Sequence, residues 1–272
     1  MKGNIKDSHN VSPTLQLIAN TILCNYSMTT TPNLVNGRMG VCLFLYEYAR
    51  LTGIKEYEDI ADDMIDLIFK VLRKGQNEDN ISSLSGIGIG IIYLITHQFL
   101  EDTDEHDSLE EVDKYLQQTV ETAETASEMV VQAALYFIYR YLYYRTGLDG
   151  KYFHKLAEQL VKLFQNSENK GRENEIISYF ILQNVTLISD YSQNEEKFHN
   201  GVISSSEIVF NHNQESITAE KMWYGFLFSK TYHKRIINDY AISDLCRNCF
   251  YDADRTVGIL CSYALTLMNQ KN

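Results

Sequence analysis

The sequence predicts an all-α fold, an (α/α)6 toroid or barrel of about six helical hairpins. Three observations carry that expectation. Apolar residues recur at helical spacing along almost the whole chain. Helices that are apolar on most faces alternate with amphipathic ones. A glycine-marked phrase comes back: Asn36-Gly37-Arg38-Met39-Gly40 opens one apolar stretch, and Ser85-Gly86-Ile87-Gly88-Ile89-Gly90 opens another about fifty residues on. Recurrence on that scale is the mark of a repeat architecture.

The elements follow in order. After Pro13, the residues Leu15, Leu17, Ile18, Ile22 and Leu23 give a first helix ending near Met28, and Thr29-Thr30-Thr31-Pro32 is a loop. Val41 to Leu51 is apolar on most faces, the pattern of a buried helix, and Gly53 suits its C-terminal cap. Lys55 to Arg73 sets Tyr57, Ile60, Ala61, Met64, Ile65, Ile68, Phe69 and Leu72 on one stripe, with acids and lysines opposite. The alternation continues with Ile87 to Phe99 (apolar), Leu109 to Val120 (amphipathic), Met129 to Tyr144 (apolar and aromatic) and Tyr152 to Phe164 (amphipathic). Ile176 to Ile188, Glu196 to Phe210, Ala219 to Tyr232, Ile236 to Phe250 and Thr256 to Met268 complete about twelve helices. An open solenoid would leave its inner helices partly solvated. Inner helices that are apolar almost all round favour closure, and with no linker in view the expectation is one domain over residues 1–272.

Composition narrows the function. The 272 residues are 44% hydrophobic, with only two prolines, 19 Tyr and one Trp. Scarce proline lets helices run without interruption. A formal net charge of -12 repels phosphate backbones, which excludes nucleic acid as the expected partner and steers basic peptides inward. The N-terminus has no signal-peptide pattern, no apolar run is long enough to span a bilayer, and five cysteines fit a reducing compartment. The expected setting is cytoplasmic, with no membrane partner.

The Asn-Gly-x-x-Gly opening, the Tyr48-Ala49-Arg50-Leu51-Thr52-Gly53 turn and the second glycine phrase up to Leu94 resemble the lanthionine synthetase C-like (lanthipeptide cyclase-like) family, best between about Val35 and Leu116. The resemblance implies an α/α toroid and a peptide substrate or a peptide-modifying enzyme as partner. Active members hold one zinc at the barrel mouth through a Cys in a Trp-Cys-Tyr-Gly phrase and a Cys-His pair before Gly-x-x-Gly. Two thiolates and an imidazole leave zinc an open position for the peptide thiol that adds to a dehydrated Ser or Thr. Here the first phrase matches Met222-Trp223-Tyr224-Gly225 and the second Ala253-Asp254-Arg255-Thr256-Val257-Gly258. Trp223, Ala253 and Asp254 stand where the three ligands would be.

The resemblance therefore implies a member without zinc, non-catalytic or divergent, with a binding or accessory role in maturing a ribosomally made peptide. The residues expected at the mouth are Asn36, Arg38, Ser85, Trp223, Tyr224, Asp252, Asp254 and Arg255. Two alternatives stay open. Cys246 and Cys249, spaced i, i+3 on what reads as an exposed helix, could rebuild a metal site with His233. Paired carboxylates, of which Glu128 and Asp254 are candidates, could cleave a glycosidic bond, with the aromatic run Phe137, Tyr139, Tyr141, Tyr143 and Tyr144 stacking on sugar rings.

Overall fold

A computed structural model describes residues 11–73, 81–101, 109–144, 150–165, 180–181, 183–185, 219–228, 239–249 and 253–269. Among them the only regular structure is helical, so the all-α class holds. The helices are α1 (Pro13–Asn25), α2 (Arg38–Thr52), α3 (Lys55–Arg73), α4 (Ile81–Thr96), α5 (Glu110–Thr122), α6 (Glu128–Tyr143), α7 (Gly150–Gln165), α8 (Ala219–Phe228), α9 (Asp239–Cys249) and α10 (Ala253–Asn269). Residues 180–181 and 183–185 are helical as well, whereas the helix expected over Glu196 to Phe210 lies outside the described residues.

Helix ends follow local chemistry. Ser12 caps α1, its Oγ accepting from the Leu15 N–H at 3.3 Å, and Pro13 takes the first turn, where its missing N–H costs nothing. The first helix ends at Asn25, not Met28; a 3-10 turn covers Tyr26–Met28. Gly53 closes α2 in the left-handed region at φ 71°, its N–H donating to the Ala49 carbonyl at 2.7 Å, a conformation that favours glycine. The largest departure from expectation is α4. It begins at Ile81, six residues before the expected Ile87, so Gly86, Gly88 and Gly90 lie within the helix and do not open it. Glycine inside a helix costs about 1 kcal/mol relative to alanine. The gain that offsets it is contact, since a methyl group at Gly88 would strike the ring of Tyr136 on α6.

The described helices fall into two compact units. The first holds α1–α3, the first half of α8, α9 and α10. In it α2 packs on α3 and on α10, and α1 lies against α9 and α10. Ten residues of α2, from Met39 to Ala49, are buried, whereas α3 buries only a stripe that includes Ala61, Met64, Ile65 and Ile68. The second unit holds α4–α7 and the rest of α8. There α4 and α6 pack together, α5 covers both, and α7 leans on α5.

One polar device recurs in both units. In the α2–α3 hairpin, the buried Tyr46 hydroxyl donates to Asp62 Oδ1 at 2.5 Å. In the α5–α6 hairpin, the buried Tyr136 hydroxyl donates to Asp113 Oδ1, also at 2.5 Å. Each joins an apolar helix to its amphipathic partner with a charge-assisted bond, about twice as strong as a neutral one. The second pair carries more. Arg140, fully buried, reaches Asp113 Oδ2 at 3.1 Å, donates to the Tyr144 carbonyl at 2.8 Å, and sits 4.7 Å over the Tyr144 ring.

A buried ion pair broken on one side leaves an uncompensated charge, which costs about 3–5 kcal/mol. Asp113→Ala should therefore lower stability by about that amount in urea unfolding. Asp113→Leu with Arg140→Met removes both charges and should lose markedly less. Equal losses in the two variants would show that the pair is not desolvated.

Candidate functional site

The Asn-Gly-x-x-Gly phrase builds a knot in the first unit. The loop before α2 folds back on the helix start. Arg38 N–H donates to Thr31 O at 2.9 Å, Met39 N–H to Asn33 O at 3.2 Å, and the Asn36 N–H to Asn33 Oδ1 at 3.2 Å. The loop's own acceptors thus take up donors that the helix start would otherwise leave open. The Arg38 side chain turns back as well, its Nε donating to Thr29 O at 3.0 Å.

Glycine is needed where this loop is crossed. A methyl group at Gly40 would strike the Leu34 carbonyl and come within 2.8 Å of the Trp223 ring; one at Gly258 would strike the Val35 carbonyl and the Asn36 side chain. Trp223 is fully buried and its indole N–H donates to Val35 O at 3.0 Å. The structure therefore brings together Asn36, Trp223 and the second turn of α10, all on one loop. Asp254 and Arg255 belong to the first turn of α10, one turn ahead of Gly258; their side chains, with Asp252 and His233 entire, lie outside the described residues.

The other candidates belong to the second unit. Tyr224 is 2% exposed and hydrogen-bonded to the side-chain amide of Gln132 at 3.0 Å. Ser85 is fully buried within α4, with no hydrogen-bond partner for its hydroxyl among the described residues. Glu128 is exposed in the first turn of α6, where an acid offsets the positive end of the helix. Trp223, Tyr224 and Ser85 are thus parts of the packed interior, with no open face for a ligand.

Zinc fits the residue set poorly. At the position that resembles the first thiolate, Trp223 has no lone pair to give, and its one donor is spent on a carbonyl. Alanine at 253 has no ligand atom at all, which leaves Asp254 alone. The alternative thiol pair needs a correction. α9 is amphipathic, and Cys246 and Cys249 point to its buried side, at 5% and 0% exposure, not to an exposed face. Two positions three apart share one face of a helix, and here that face is the inner one. Burial pushes both thiols up from their ordinary range, against the smaller opposing effect of hydrogen bonds from Thr21 to Cys246 and Thr256 to Cys249. A raised thiol holds its proton and is a weak metal ligand. Among the described residues no group of three or more His, Cys, Asp or Glu is placed to hold a metal.

The aromatic run also turns inward. Phe137, Tyr139 and Tyr141 are buried, Tyr139 meets Phe228 edge-on at 5.5 Å, and the Tyr143 hydroxyl donates to Leu227 O at 3.4 Å. Phe137, Tyr139 and Tyr141 are core rings and offer no platform for a sugar, whereas Tyr143 and Tyr144 are half-buried.

Sequence reasoning missed the Asp113–Tyr136–Arg140 cluster and the Tyr46–Asp62 pair. A signal for the first existed: an arginine in the middle of an apolar, aromatic stretch is almost never buried without a partner. Nothing in the local pattern singled out Asp62 from the other acids of α3.

A family model, lanthionine synthetase C-like protein, matches residues 29–200, more than half of the chain. The chain belongs to that family. The match runs beyond the Val35 to Leu116 stretch where the phrases are most alike, and ends before Trp223 and the 253–258 phrase. No curated protein and no solved structure matches. None of the described helices is long and apolar enough to cross a membrane.

The burial pattern makes two measurable statements. Cys24 is exposed and Cys42, Cys246, Cys249 and Cys261 are buried. A thiol-specific dye at neutral pH should titrate one cysteine quickly and the other four only after unfolding. Stability should also fall as pH rises above about 9. Burial raises Cys42, Cys261, Tyr46 and Tyr139 above their ordinary values. Their stabilising effect is complete below the pH at which the unfolded chain ionises. It is lost above that pH, because the unfolded state then binds fewer protons than the folded one. Urea midpoints at pH 7, 9 and 10 should decrease in that order.

Proposed function

We propose that this chain is a lanthionine synthetase C-like protein that works without the family's zinc chemistry. It binds a ribosomally made peptide, or the enzyme that modifies it, as an accessory in peptide maturation within the cytoplasm. The residues proposed to hold the partner are Asn36, Arg38, Asp252, Asp254 and Arg255. The observation that carries the reading is Trp223. At the position that resembles a thiolate ligand stands the largest side chain of the core, packed on Gly40 and bonded to Val35.

Such a replacement is not a step away from activity. Trp223→Cys would exchange a buried indole for a small thiol, and large-to-small changes of that size cost about 3–5 kcal/mol. The net charge of -12 supports a basic or polar peptide segment as ligand, because such a field draws in cations and raises their encounter rate.

Elemental analysis of the purified protein should find well under one zinc per chain, and one tightly held equivalent would overturn the zinc-free reading. Capture from the native host should recover a short Cys-containing precursor or a peptide-modifying enzyme. Recovery of neither would count against the accessory role. Asp254→Ala with Arg255→Ala should abolish capture while leaving the helical signal intact.

A further inference from the structure

The turn between α5 and α6 borders a half-open hollow of about 540 Å³ within the second unit. Its lining is mixed: Ala123, Met129 and Val130 are apolar, Tyr115 and Thr119 come from the last turns of α5, Glu124 comes from the turn itself, and further threonine, serine and glutamine side chains complete the wall. Met129 is 41% exposed, although it sits on a helix whose other apolar side chains are mostly buried. Among the described residues, no basic side chain lines the hollow.

The side-chain charge at its edge has one sign. The C-terminal end of a helix carries about half a negative charge, which a basic residue in the last turn ordinarily offsets. α5 has no basic residue there. Glu121 and Glu124 stand at that end, and Glu128 follows in the first turn of α6. The one lysine of α5, Lys114, is near its other end and paired with Glu110. The α6 N-terminus meets the α5 C-terminus here, so the two helix ends offset one another and the carboxylates set the sign. A hollow of mixed lining, with Glu124 in its wall and Glu121 and Glu128 beside it, suits a cation carried on a partly apolar stem.

We infer that this hollow is a docking groove for a basic, partly apolar peptide segment, with a lysine or arginine of the peptide against Glu124 and Glu128 and its apolar neighbour over Met129 and Val130. The inference rests on the peptide-handling reading above and names where the peptide's basic part lies.

The test uses the full chain and a fluorescein-labelled hexapeptide of alternating Leu and Lys, with a Leu and Glu counterpart as control. Fluorescence anisotropy at low salt should show saturable binding of the basic peptide only. Glu124→Gln with Glu128→Gln should weaken it about fivefold, as loss of two exposed charges allows. Thr119→Trp, which fills the hollow, should weaken it by roughly tenfold, as blocking the centre of a contact does. Glu56→Gln with Glu58→Gln removes the same charge from α3 and should change the affinity little. Equal weakening by the α3 pair, or unchanged affinity in both groove variants with helical content preserved, would overturn the groove. So would the absence of binding to the unsubstituted protein. A groove that fails while host capture still recovers a peptide leaves the accessory reading standing. Capture of nothing, with the groove variants behaving as expected, sinks the accessory reading alone.

Discussion

A helix that is apolar on nearly every face has to be enclosed on nearly every side, and that constraint governs the first unit. From Met39 to Ala49, α2 has almost no surface that water could wet. Burying a Leu, Phe or Met side chain is worth about 1.5–3 kcal/mol, so each wall around α2 contributes, and each missing wall would expose several such groups together. The amphipathic α3 supplies one wall, α10 another and the indole of Trp223 a third. The glycines at 40 and 258 exist to let those walls come close enough. Side chains there would hold the carbonyls of Leu34 and Val35 away, and the enclosure would open.

The second unit answers the same constraint with more polar chemistry. α6 is as enclosed as α2, but it carries Arg140, which no apolar wall can satisfy. Asp113 reaches in from α5 to meet both it and Tyr136. Because one carboxylate serves two partners on adjacent turns of α6, sliding one helix along the other breaks both bonds at once. Apolar contact alone tolerates such slippage, since one greasy neighbour replaces another. The Tyr46–Asp62 bond gives the α2–α3 hairpin the same protection with a single contact.

The fold was legible in the sequence for physical reasons, and so were its limits. Period and burial are the same information for helices such as α3 and α7, whose stripes were placed to within two residues. Gly53 announced its cap because a left-handed residue there favours glycine. The glycine run of α4 misled, since glycine both breaks helices and lets them touch, and only the neighbouring Tyr136 decides between the two. The family was legible from two phrases that recur. The state of Cys246 and Cys249 was not: an i, i+3 pair fixes that both thiols share a face of α9, but not which way that face turns. The recasting of Trp223 as a core residue depended on Val35 and Gly40, more than 180 positions away in the chain.

That distance has an outcome during synthesis. The first unit combines residues 1–74 with 218–223 and 234–272, whereas most of the second lies in the unbroken stretch 75–217. As the chain leaves the ribosome, α1 to α3 emerge well before Trp223 and α10, which cover α2. Chain segments made early ordinarily fold early; here the middle can settle while the beginning waits. The nascent protein therefore spends much of its translation with the buried residues of α2 incompletely covered, and exposed apolar surface of that kind favours aggregation.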